Sequence, residues 1–581
     1  MRFAPLVLLG LVPSTLAAFG VTKGSNYLDV DTGNKLVYRV STTNGDITSI
    51  KYDGKELQYS KKFTQIGSGL GSAPPIVSTT NGDITSIKYD GKELQYSKKF
   101  TQIGSGLGSA TVSSKVSGST AIITIETSTL VSLSSNRWGT ALNTCNRLNT
   151  MLPAVGKARY TSVLISLLSH RLGNSGSSPD FSRQYSQRAR PLPTREASLA
   201  RGSAIEGSDV FLVSGQTRSK FYSSVRFIED QVHGISGSGV GAYMVVPGNA
   251  YETSSGGPFF RDINNQNSQS DDGANEVYWY MNSNHAQTES YRTGFFGPYA
   301  LVFTSGSAPS ANLDLSFFAN LGLKGYVAAS GRGTVTGTVS GIPSGFQAVV
   351  GLKNSNAQYW GTVSGSAFSI SGVKPGTYTA TLFKKELEVG TGSVTVSAGK
   401  SSTLKLSSTE SIKTTIWQIG VPDGTPSGFL NADKIETMHP SDSRMSSWGP
   451  VTYTIGSSSP SSFPMAQFIS VNNPTTIKWT ASSSQIGTRT LRIRTTSAFA
   501  SGRPSIKVNS WSSATPAAPT KVDSRGVTRG TWRGLNQVYE YAIPAGTLVA
   551  GSNTITITVV SGSSGEKFLS PNIVYDSVEL Y

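Results

Sequence analysis

Two stretches of the chain carry side chains that could move protons and hold an anion. The first, Gly207–Phe227, places Arg218, Lys220 and Tyr222 at alternate positions, so they share one face if the backbone is extended. A lysine amine can act as a base only if its pKa falls well below about 10.4, which desolvation or a nearby cation such as Arg218 can cause. A solvated strand face would show the same spacing, so both interpretations stay open.

The second stretch, Tyr278–Arg292, combines aromatic side chains with an imidazole. Tyr278 and Tyr280 share a face of a predicted strand, and His285 follows a turn-like Asn-Ser-Asn. Histidine exchanges protons near neutral pH, which makes His285 a candidate acid or base. The alternative is a strand that is half buried in a core, and for Arg292 it is a structural ion pair.

Few residues suit a metal or a cofactor. The four histidines, His170, His233, His285 and His439, have no short metal-ligand spacing, and Cys145 is the only cysteine. The sequence also lacks a nucleophile elbow, a P-loop and a Rossmann fingerprint. We therefore expect no cofactor and no catalytic metal.

Short strands and turns must position the candidate residues. The 581 residues include 62 glycines and 26 prolines, and only 14% are charged, which favours an all-β fold over helical bundles. The apolar run Leu6–Val12 follows a basic start and precedes small residues, so residues 1–17 are predicted to be a secretory signal peptide. Because that run is too short to span a bilayer, we expect a secreted, extracellular protein that does not associate with a membrane.

The spacing of turns divides the remaining chain into three predicted β domains. Residues 18–325 should form a large β-sandwich with both candidate stretches, including strands at Tyr222–Phe227 and Val277–Met281. Residues 326–410 fit a small fibronectin- or immunoglobulin-like sandwich. Residues 411–581 fit a jelly-roll of the kind common in carbohydrate-binding modules, and each of its tryptophans is expected to be a core residue.

Two segments of the first domain depart from this pattern. Residues 40–73 and 77–110 are identical, which indicates a recent duplication or an assembly error, with one copy extra to the native strands. Residues 131–203 hold ten Lys/Arg and two acidic residues, a net charge of +8 out of +16 for the whole chain. Such a segment could bind a polyanion, but a misread frame or intron is favoured, so we expect no nucleic-acid partner.

Several longer motifs resemble those of one enzyme family. They are TRSKFYSSVRFIEDQ (Thr217–Gln231), SSGGPFFRDIN (Ser254–Asn264), YWYMNSNHAQTESYR (Tyr278–Arg292), KGYVAASGRG (Lys324–Gly333), MHPSDSRMSSWGP (Met438–Pro450) and DSRGVTRG (Asp523–Gly530). Together they closely resemble fungal rhamnogalacturonan lyases of polysaccharide lyase family 4. The resemblance runs from Ala18 to Tyr581, except across residues 131–203 and the duplicated block.

The resemblance implies β-elimination on the pectic polysaccharide rhamnogalacturonan I. A rhamnogalacturonan endolyase cleaves the rhamnose-(1→4)-galacturonate bond and leaves a 4,5-unsaturated galacturonate at the new non-reducing end. By motif, the family's lysine, histidine and tyrosines fall on Lys220, His285, Tyr278 and Tyr280. Its carboxylate-binding arginine should fall within 131–203, where the family motif is missing.

The reaction needs a base for the C5 proton, an acid for the departing O4 and positive charge beside the uronate carboxylate. We assign Lys220 as base and His285 as acid, with the reverse assignment open. Tyr278 and Tyr280 would position the sugar or relay a proton. Arg218 and, as a weaker candidate, Arg292 would bind substrate. The enzyme is expected to be a monomer.

Two other functions are compatible with the sequence. A glycoside hydrolase would need two carboxylates at a defined separation, and Glu206, Asp209, Glu276 and Glu289 are available. A non-catalytic protein could instead bind plant cell-wall pectin through the third domain. A lyase differs from both because its product contains a conjugated double bond that absorbs ultraviolet light.

Overall fold

The computed structural model describes the chain in two long ranges and several short pieces. The long ranges are residues 20–57, without 33–34 and 44–46, and residues 215–581, without 238–239, 268–274, 278–279, 281, 283–284, 293, 305–306, 321–322, 324 and 523–524. Between them it gives the backbone of 88–89, 92–93, 111–117, 120–127, 160–161, 203–206 and 210–212. The predicted signal peptide and nearly all of residues 131–203 lie outside the described residues.

The chain divides into two compact units. The first comprises Met1–Asp180, Ser238–Ala242 and Ala300–Ser307, and the second comprises Phe181–Gly237, Tyr243–Tyr299 and Ala308–Tyr581. Every candidate side chain that the structure describes belongs to the second unit.

The first unit contains a five-stranded antiparallel sheet whose strands follow one another in chain order. They are β1 (Gly20–Lys23), β2 (Tyr27–Asp31), β3 (Leu36–Ser41), β4 (Ile47–Tyr52) and β5 (Lys55–Glu56). Apolar side chains at alternate positions, such as Leu28 and Val30 in β2, are buried on one face. On the other face Arg39 donates to both carboxylate oxygens of Asp29, at 2.6 and 2.7 Å.

The duplicated block forms the same hairpin twice. In the strand register of the first copy, Lys51 of β4 lies opposite Glu56 of β5. In the second copy, Lys88 lies opposite Glu93. The second hairpin consists of β6 (Lys88–Tyr89) and β7 (Lys92–Glu93), which form a two-stranded sheet. A three-stranded antiparallel sheet follows, made of β8 (Thr111–Ser117), β9 (Thr120–Thr127) and β10 (Tyr160–Thr161).

Loops alternate with short strands in the part of the chain that carries the candidate residues. The strands are β11 (Ser203–Glu206), β12 (Val210–Leu212), β13 (Val232–Gly237), β14 (Val240–Val245), β15 (Asn265–Asn267), β16 (Asn275–Val277) and β17 (Ala300–Thr304). Strand β17 and residues 240–242 of β14 belong to the first unit.

The structure corrects two of the predicted strands. The segment Tyr222–Phe227 forms turns, because Tyr222 N donates to Ser219 O and Ser224 N donates to Phe221 O. Of Val277–Met281, the strand β16 includes only Val277, and Tyr280 lies in irregular backbone. Both segments are rich in aromatic and β-branched residues, which are common in strands but do not exclude turns and loops.

Residues 333–407 form a sandwich of two sheets, in the orders β21-β18-β24 and β20-β19-β22-β23. The strands are β18 (Gly333–Ser340), β19 (Ala348–Lys353), β20 (Gln358–Thr362), β21 (Ala367–Val373), β22 (Gly376–Lys384), β23 (Leu387–Val396) and β24 (Ser401–Ser407). Its core contains Val335, Val350, Leu352, Tyr378 and Leu382, all nearly inaccessible to solvent. This is the fibronectin-like sandwich that the turn spacing predicts.

The C-terminal sandwich consists of two five-stranded sheets. Its strands are β25 (Trp417–Gly420), β26 (Thr452–Thr454), β27 (Ala466–Phe468), β28 (Thr475–Ala481), β29 (Arg489–Phe499), β30 (Arg503–Val508), β31 (Trp511–Ser512), β32 (Gln537–Ile543), β33 (Gly551–Val560) and β34 (Asn572–Leu580). One sheet has the order β25-β34-β29-β32, with β27 beside β34, and the other has the order β26-β28-β33-β30-β31. The predicted all-β class and the jelly-roll-like third domain are confirmed.

The tryptophans of the C-terminal sandwich are core residues, as expected. Trp417, Trp479 and Trp532 are buried, and the partly buried Trp448 and Trp511 pack against the same apolar cluster. The described chain also contains short 3-10 helices, at Ser316–Asn320, Ala329–Gly331, Pro460–Ser462, Val527–Arg529 and Lys567–Leu569. Within the described residues no helix is long and apolar enough to cross a membrane.

Candidate active site

The segment that carries Lys220 is held against the C-terminal sandwich through alternate residues. Three of its backbone N–H groups donate to that sandwich: Thr217 N to Asp442 Oδ2 (2.5 Å), Ser219 N to Thr437 O (3.1 Å) and Phe221 N to Arg529 O (2.9 Å). These three anchoring residues are buried, whereas Arg218 and Lys220 between them are partly exposed. The predicted sharing of one face by Arg218 and Lys220 therefore holds, although the segment is not a strand.

His285 is oriented by a buried carboxylate. Its Nδ1 lies 2.9 Å from Oδ1 of Asp262, a residue only 4% exposed, and the side chain of His285 is 18% exposed. The backbone N–H of Ile263 donates to the same carboxylate oxygen at 2.7 Å, which fixes the aspartate. A carboxylate on Nδ1 sets the orientation of the ring, so proton exchange with a substrate would take place at Nε2.

The imidazole of His285 connects the two candidate stretches. Its ring centroid lies 5.7 Å from that of Phe221, the residue after Lys220, and 5.7 Å from that of Tyr280. The second contact is edge-on, with 72° between the ring planes. The structure thus brings the lysine segment, His285 and Tyr280 into one neighbourhood. Tyr278 lies outside the described residues.

A small crevice of about 10 Å³ adjoins His285. Its other lining residues are Phe259, Phe260, Arg261, Ala286, Thr531 and Arg533. A space of this size suits about one water molecule and is far too small for a sugar ring.

Two of the lining residues, Arg261 and Arg533, carry guanidinium groups. Burial lowers the pKa of both, although Glu436 raises that of Arg261 and Glu386 raises that of Arg533.

The two candidate arginines have different surroundings. The guanidinium of Arg218 lies over the ring of Tyr222, 4.8 Å from its centroid, on the partly exposed side of the lysine segment. Arg292, in contrast, is 5% exposed. Its guanidinium donates to Glu289 Oε1 (2.8 Å), Ser254 O (2.9 Å) and Asn354 O (2.9 Å).

Arg292 and Glu289 form a structural ion pair. Burial raises the pKa of Glu289, but the Arg292 charge and hydrogen bonds from Arg292 and Gly256 hold it below its usual value. With its guanidinium engaged by protein acceptors, Arg292 fits the structural alternative better than a role in substrate binding.

Sequence reasoning missed Asp262 and Glu436. Asp262 occurs in the motif SSGGPFFRDIN, where a single aspartate next to an arginine is the only signal for a histidine partner. Glu436 lies two residues before the motif MHPSDSRMSSWGP, and nothing in its local sequence links it to the lysine segment. Within the part of the chain that the structure describes, no three His, Cys, Asp or Glu side chains are grouped so that they could hold a metal ion.

Sequence families match all three parts of the chain. A family described as the N-terminal domain of rhamnogalacturonan lyase B matches residues 19–76 and 74–325, so its two pieces meet between the two copies of the duplicated block. Families described as domains II and III of polysaccharide lyase family 4 match residues 331–404 and 415–580.

Curated relatives match nearly the whole chain. It is 54% identical to the probable rhamnogalacturonate lyase A of Aspergillus terreus over 98% of this chain and 97% of that protein. It is 52% identical to the rhamnogalacturonate lyases A of Emericella nidulans and Aspergillus aculeatus, over 97% of this chain and 96% of each relative. The all-β domains and these matches define a polysaccharide lyase fold. The chain belongs to polysaccharide lyase family 4, the rhamnogalacturonan lyases.

Proposed function

We propose that this protein is a rhamnogalacturonan endolyase that cleaves rhamnose-(1→4)-galacturonate bonds by β-elimination. The observation that supports it best is the pairing of His285 with Asp262 beside the Lys220 segment and Tyr280, in a chain that belongs to the family along almost its entire length. The substrate is rhamnogalacturonan I, a pectic polysaccharide.

The elimination requires two proton transfers on one uronate ring. Lys220, as the neutral amine, takes the proton from C5, and the electrons of the C5–H bond form the C4=C5 double bond. The bond from C4 to O4 breaks, and His285 as imidazolium donates a proton to the departing O4. Asp262 holds Nδ1 of this ring and so leaves Nε2 as the atom that would donate the proton.

Charge on the uronate carboxylate must be stabilised while the C5 proton leaves. Arg218 is the described candidate, because it lies beside Lys220 on the partly exposed side of the segment. A guanidinium near the carboxylate lowers the energy of the enolate-like transition state. Tyr280 and Tyr278 would position the sugar or relay the proton. We do not assign Arg292 to the substrate.

We further propose that the protein is secreted after removal of residues 1–17 and acts as a monomer on plant cell walls. The basic start and apolar run of the N-terminus support secretion. We retain 18–325 as the catalytic domain, 326–410 as the fibronectin-like domain and 411–581 as the carbohydrate-binding-like domain.

Product analysis tests the proposed reaction. The purified chain is incubated with rhamnogalacturonan I, and ultraviolet absorbance and new reducing ends are measured together, with rhamnose-free polygalacturonate as the control substrate. We expect absorbance and reducing ends to rise in equal numbers on rhamnogalacturonan I only. Reducing ends without absorbance would indicate a hydrolase, and saturable binding without either would indicate a non-catalytic binding protein.

A further inference from the structure

A partly buried charge cluster connects the candidate site to both C-terminal domains. It contains Arg261, which lines the crevice beside His285, and Arg226. Its carboxylates are Glu386 of the fibronectin-like domain and Glu436 of the C-terminal domain. Arg226 donates to Glu386 (3.0 Å) and to Glu436 (2.7 Å), and Arg261 is paired with Glu436 at 2.5 Å. Two guanidinium groups thus lie against two carboxylates at the point where the three domains meet within the second unit.

The Glu436 side chain is linked to the histidine through two neighbouring residues, Arg261 and Asp262. Arg261, 6% exposed, directly precedes Asp262 in the chain, and Asp262 accepts the hydrogen bond of His285 Nδ1. A shift of the Arg261 backbone would therefore move the carboxylate that orients the imidazole. The Glu436 side chain is 30% exposed, so a substitution that removes its charge would not leave a cavity in a core.

The backbone of Glu436 contacts the residue next to the lysine. Its carbonyl oxygen accepts hydrogen bonds from Ser219 Oγ (2.7 Å) and from Arg261 Nη2 (3.2 Å). Ser219 directly precedes Lys220. Arg261 Nη2 also donates to Phe221 O (3.0 Å), which follows Lys220. The residues on both sides of Lys220 are therefore tied to the Glu436–Arg261 pair.

We propose that Glu436 is a positioning residue that sets the separation between Lys220 and His285, so that the C-terminal domain is an integral part of the catalytic site. This rests on the proposed elimination by these two residues. The tryptophans of that domain are buried in its core or pack against it. The proposal therefore gives the domain a function other than sugar binding by tryptophans.

The test compares Glu436→Gln with Glu540→Gln. Glutamine keeps the shape and one acceptor but removes the charge that holds Arg261. Glu540 is a matched control, because it is also a carboxylate of the C-terminal domain paired with an arginine, Arg492, at 2.9 Å. We expect Glu436→Gln to lower kcat about tenfold to a hundredfold with less than about a threefold change in KM, as expected for a small misplacement of catalytic groups. Glu540→Gln should change neither.

A second readout does not depend on activity. The chain has only four histidines, so ring-labelled histidine gives a simple NMR spectrum in which a His285→Gln variant identifies the His285 signal. We expect the chemical shift and titration midpoint of His285 to change in Glu436→Gln and to stay as in the wild type in Glu540→Gln. If the wild type makes no unsaturated product but this shift occurs, the proposed function fails and the positioning link stands. An unchanged His285 signal, or a kcat loss fully explained by a lower folded fraction, would overturn the proposal.

Discussion

At the scale of single residues, the orientation of the His285 ring depends on the carboxylate that contacts its Nδ1. Asp262 is buried, receives the Ile263 N–H and holds the imidazole at 2.9 Å. A carboxylate in this position selects the orientation of the ring. Replacing it with an amide should keep the shape of the site and remove the charge.

The Asp262→Asn variant should therefore lose activity without unfolding. We expect kcat to fall by roughly two to four orders of magnitude, as when a buried aspartate that orients a catalytic histidine becomes asparagine. Substrate affinity and the thermal midpoint should change little. Steady-state kinetics on rhamnogalacturonan I measure this, with the exposed Asp433→Asn as the control. A kcat close to that of the wild type would contradict the role of Asp262.

Arg292 should matter for stability rather than for substrate binding. Removing one partner of a buried ion pair costs about 3–5 kcal/mol, because the remaining charge loses its compensation. We expect Arg292→Met to lower the free energy of unfolding by that order and to leave the KM of the folded fraction unchanged. Lys353→Met removes an exposed partner of the same Glu289 and should cost at most about 1 kcal/mol. A large rise in KM at normal stability would restore Arg292 as a substrate ligand.

At the scale of elements, the lysine segment depends on a close approach by the loop after the Val527–Arg529 helix. Gly530 has φ of +92°, and a Cβ there would lie 2.3 Å from Ser219 Oγ and 3.1 Å from Glu436 O. Any side chain must therefore displace the segment that carries Lys220. Glycine is required here by both space and backbone conformation.

Gly530→Ala separates these two effects when it is compared with Gly546→Ala. Gly546 has a similar φ of +84°, but no atom lies within 4 Å of the position that a Cβ would occupy there. Both variants should lose about 1 kcal/mol or somewhat more from the left-handed backbone. Only Gly530→Ala should lose at least about tenfold in kcat, because it moves the lysine segment. Equal kinetics for the two variants would show that the contact with Ser219 does not position Lys220.

The sequence predicts part of this arrangement and misses the rest for identifiable reasons. Alternation indicated the common face of Arg218 and Lys220, because burial of every second residue is a local property. The anchors of that segment, such as Asp442, lie far away in the chain, 225 positions from Thr217, so no local pattern indicates them. The residue types of Tyr222–Phe227 do not distinguish a strand from the turns that this segment forms. The surroundings of Arg292 include the carbonyl groups of Ser254 and Asn354, which are distant in the chain, so the local sequence does not reveal them.

At the scale of the whole molecule, a buried acid makes stability depend on pH. Asp576, in the central strand β34, accepts the N–H groups of Asp423 and Gly424 at 3.0 Å each. Burial, with the nearby Asp423 charge, raises the pKa of Asp576 to about 7, against about 3.9 in the unfolded chain. Between about pH 4 and 7, Asp576 is ionised in the unfolded chain but protonated in the folded protein. The contribution of this group to stability therefore falls as the pH rises from about 4 to 7 and is constant above that range.

Asp576→Asn should remove this dependence, because the amide oxygen can still accept both N–H groups. The difference in stability is on the order of 4 kcal/mol at about pH 8 and vanishes near about pH 4. We expect the thermal midpoint of the variant to exceed that of the wild type, and this difference should be several degrees larger at about pH 8 than at about pH 5. Thermal unfolding at the two pH values measures this, with Asp433→Asn as the control. An equal difference between the wild-type and variant midpoints at both pH values would contradict a raised pKa of Asp576.

In the proposed mechanism, one lysine and one histidine carry out the elimination. It is tested by ultraviolet-monitored turnover of rhamnogalacturonan I with Lys220→Ala and His285→Ala, beside the exposed Lys405→Ala as control. We expect each of the first two to lose at least about a hundredfold in kcat, the usual contribution of a general acid or base, while binding changes less than about threefold. Lys405→Ala should match the wild type. Retention of more than about a tenth of the wild-type kcat by either Lys220→Ala or His285→Ala, in a folded protein, would contradict the account.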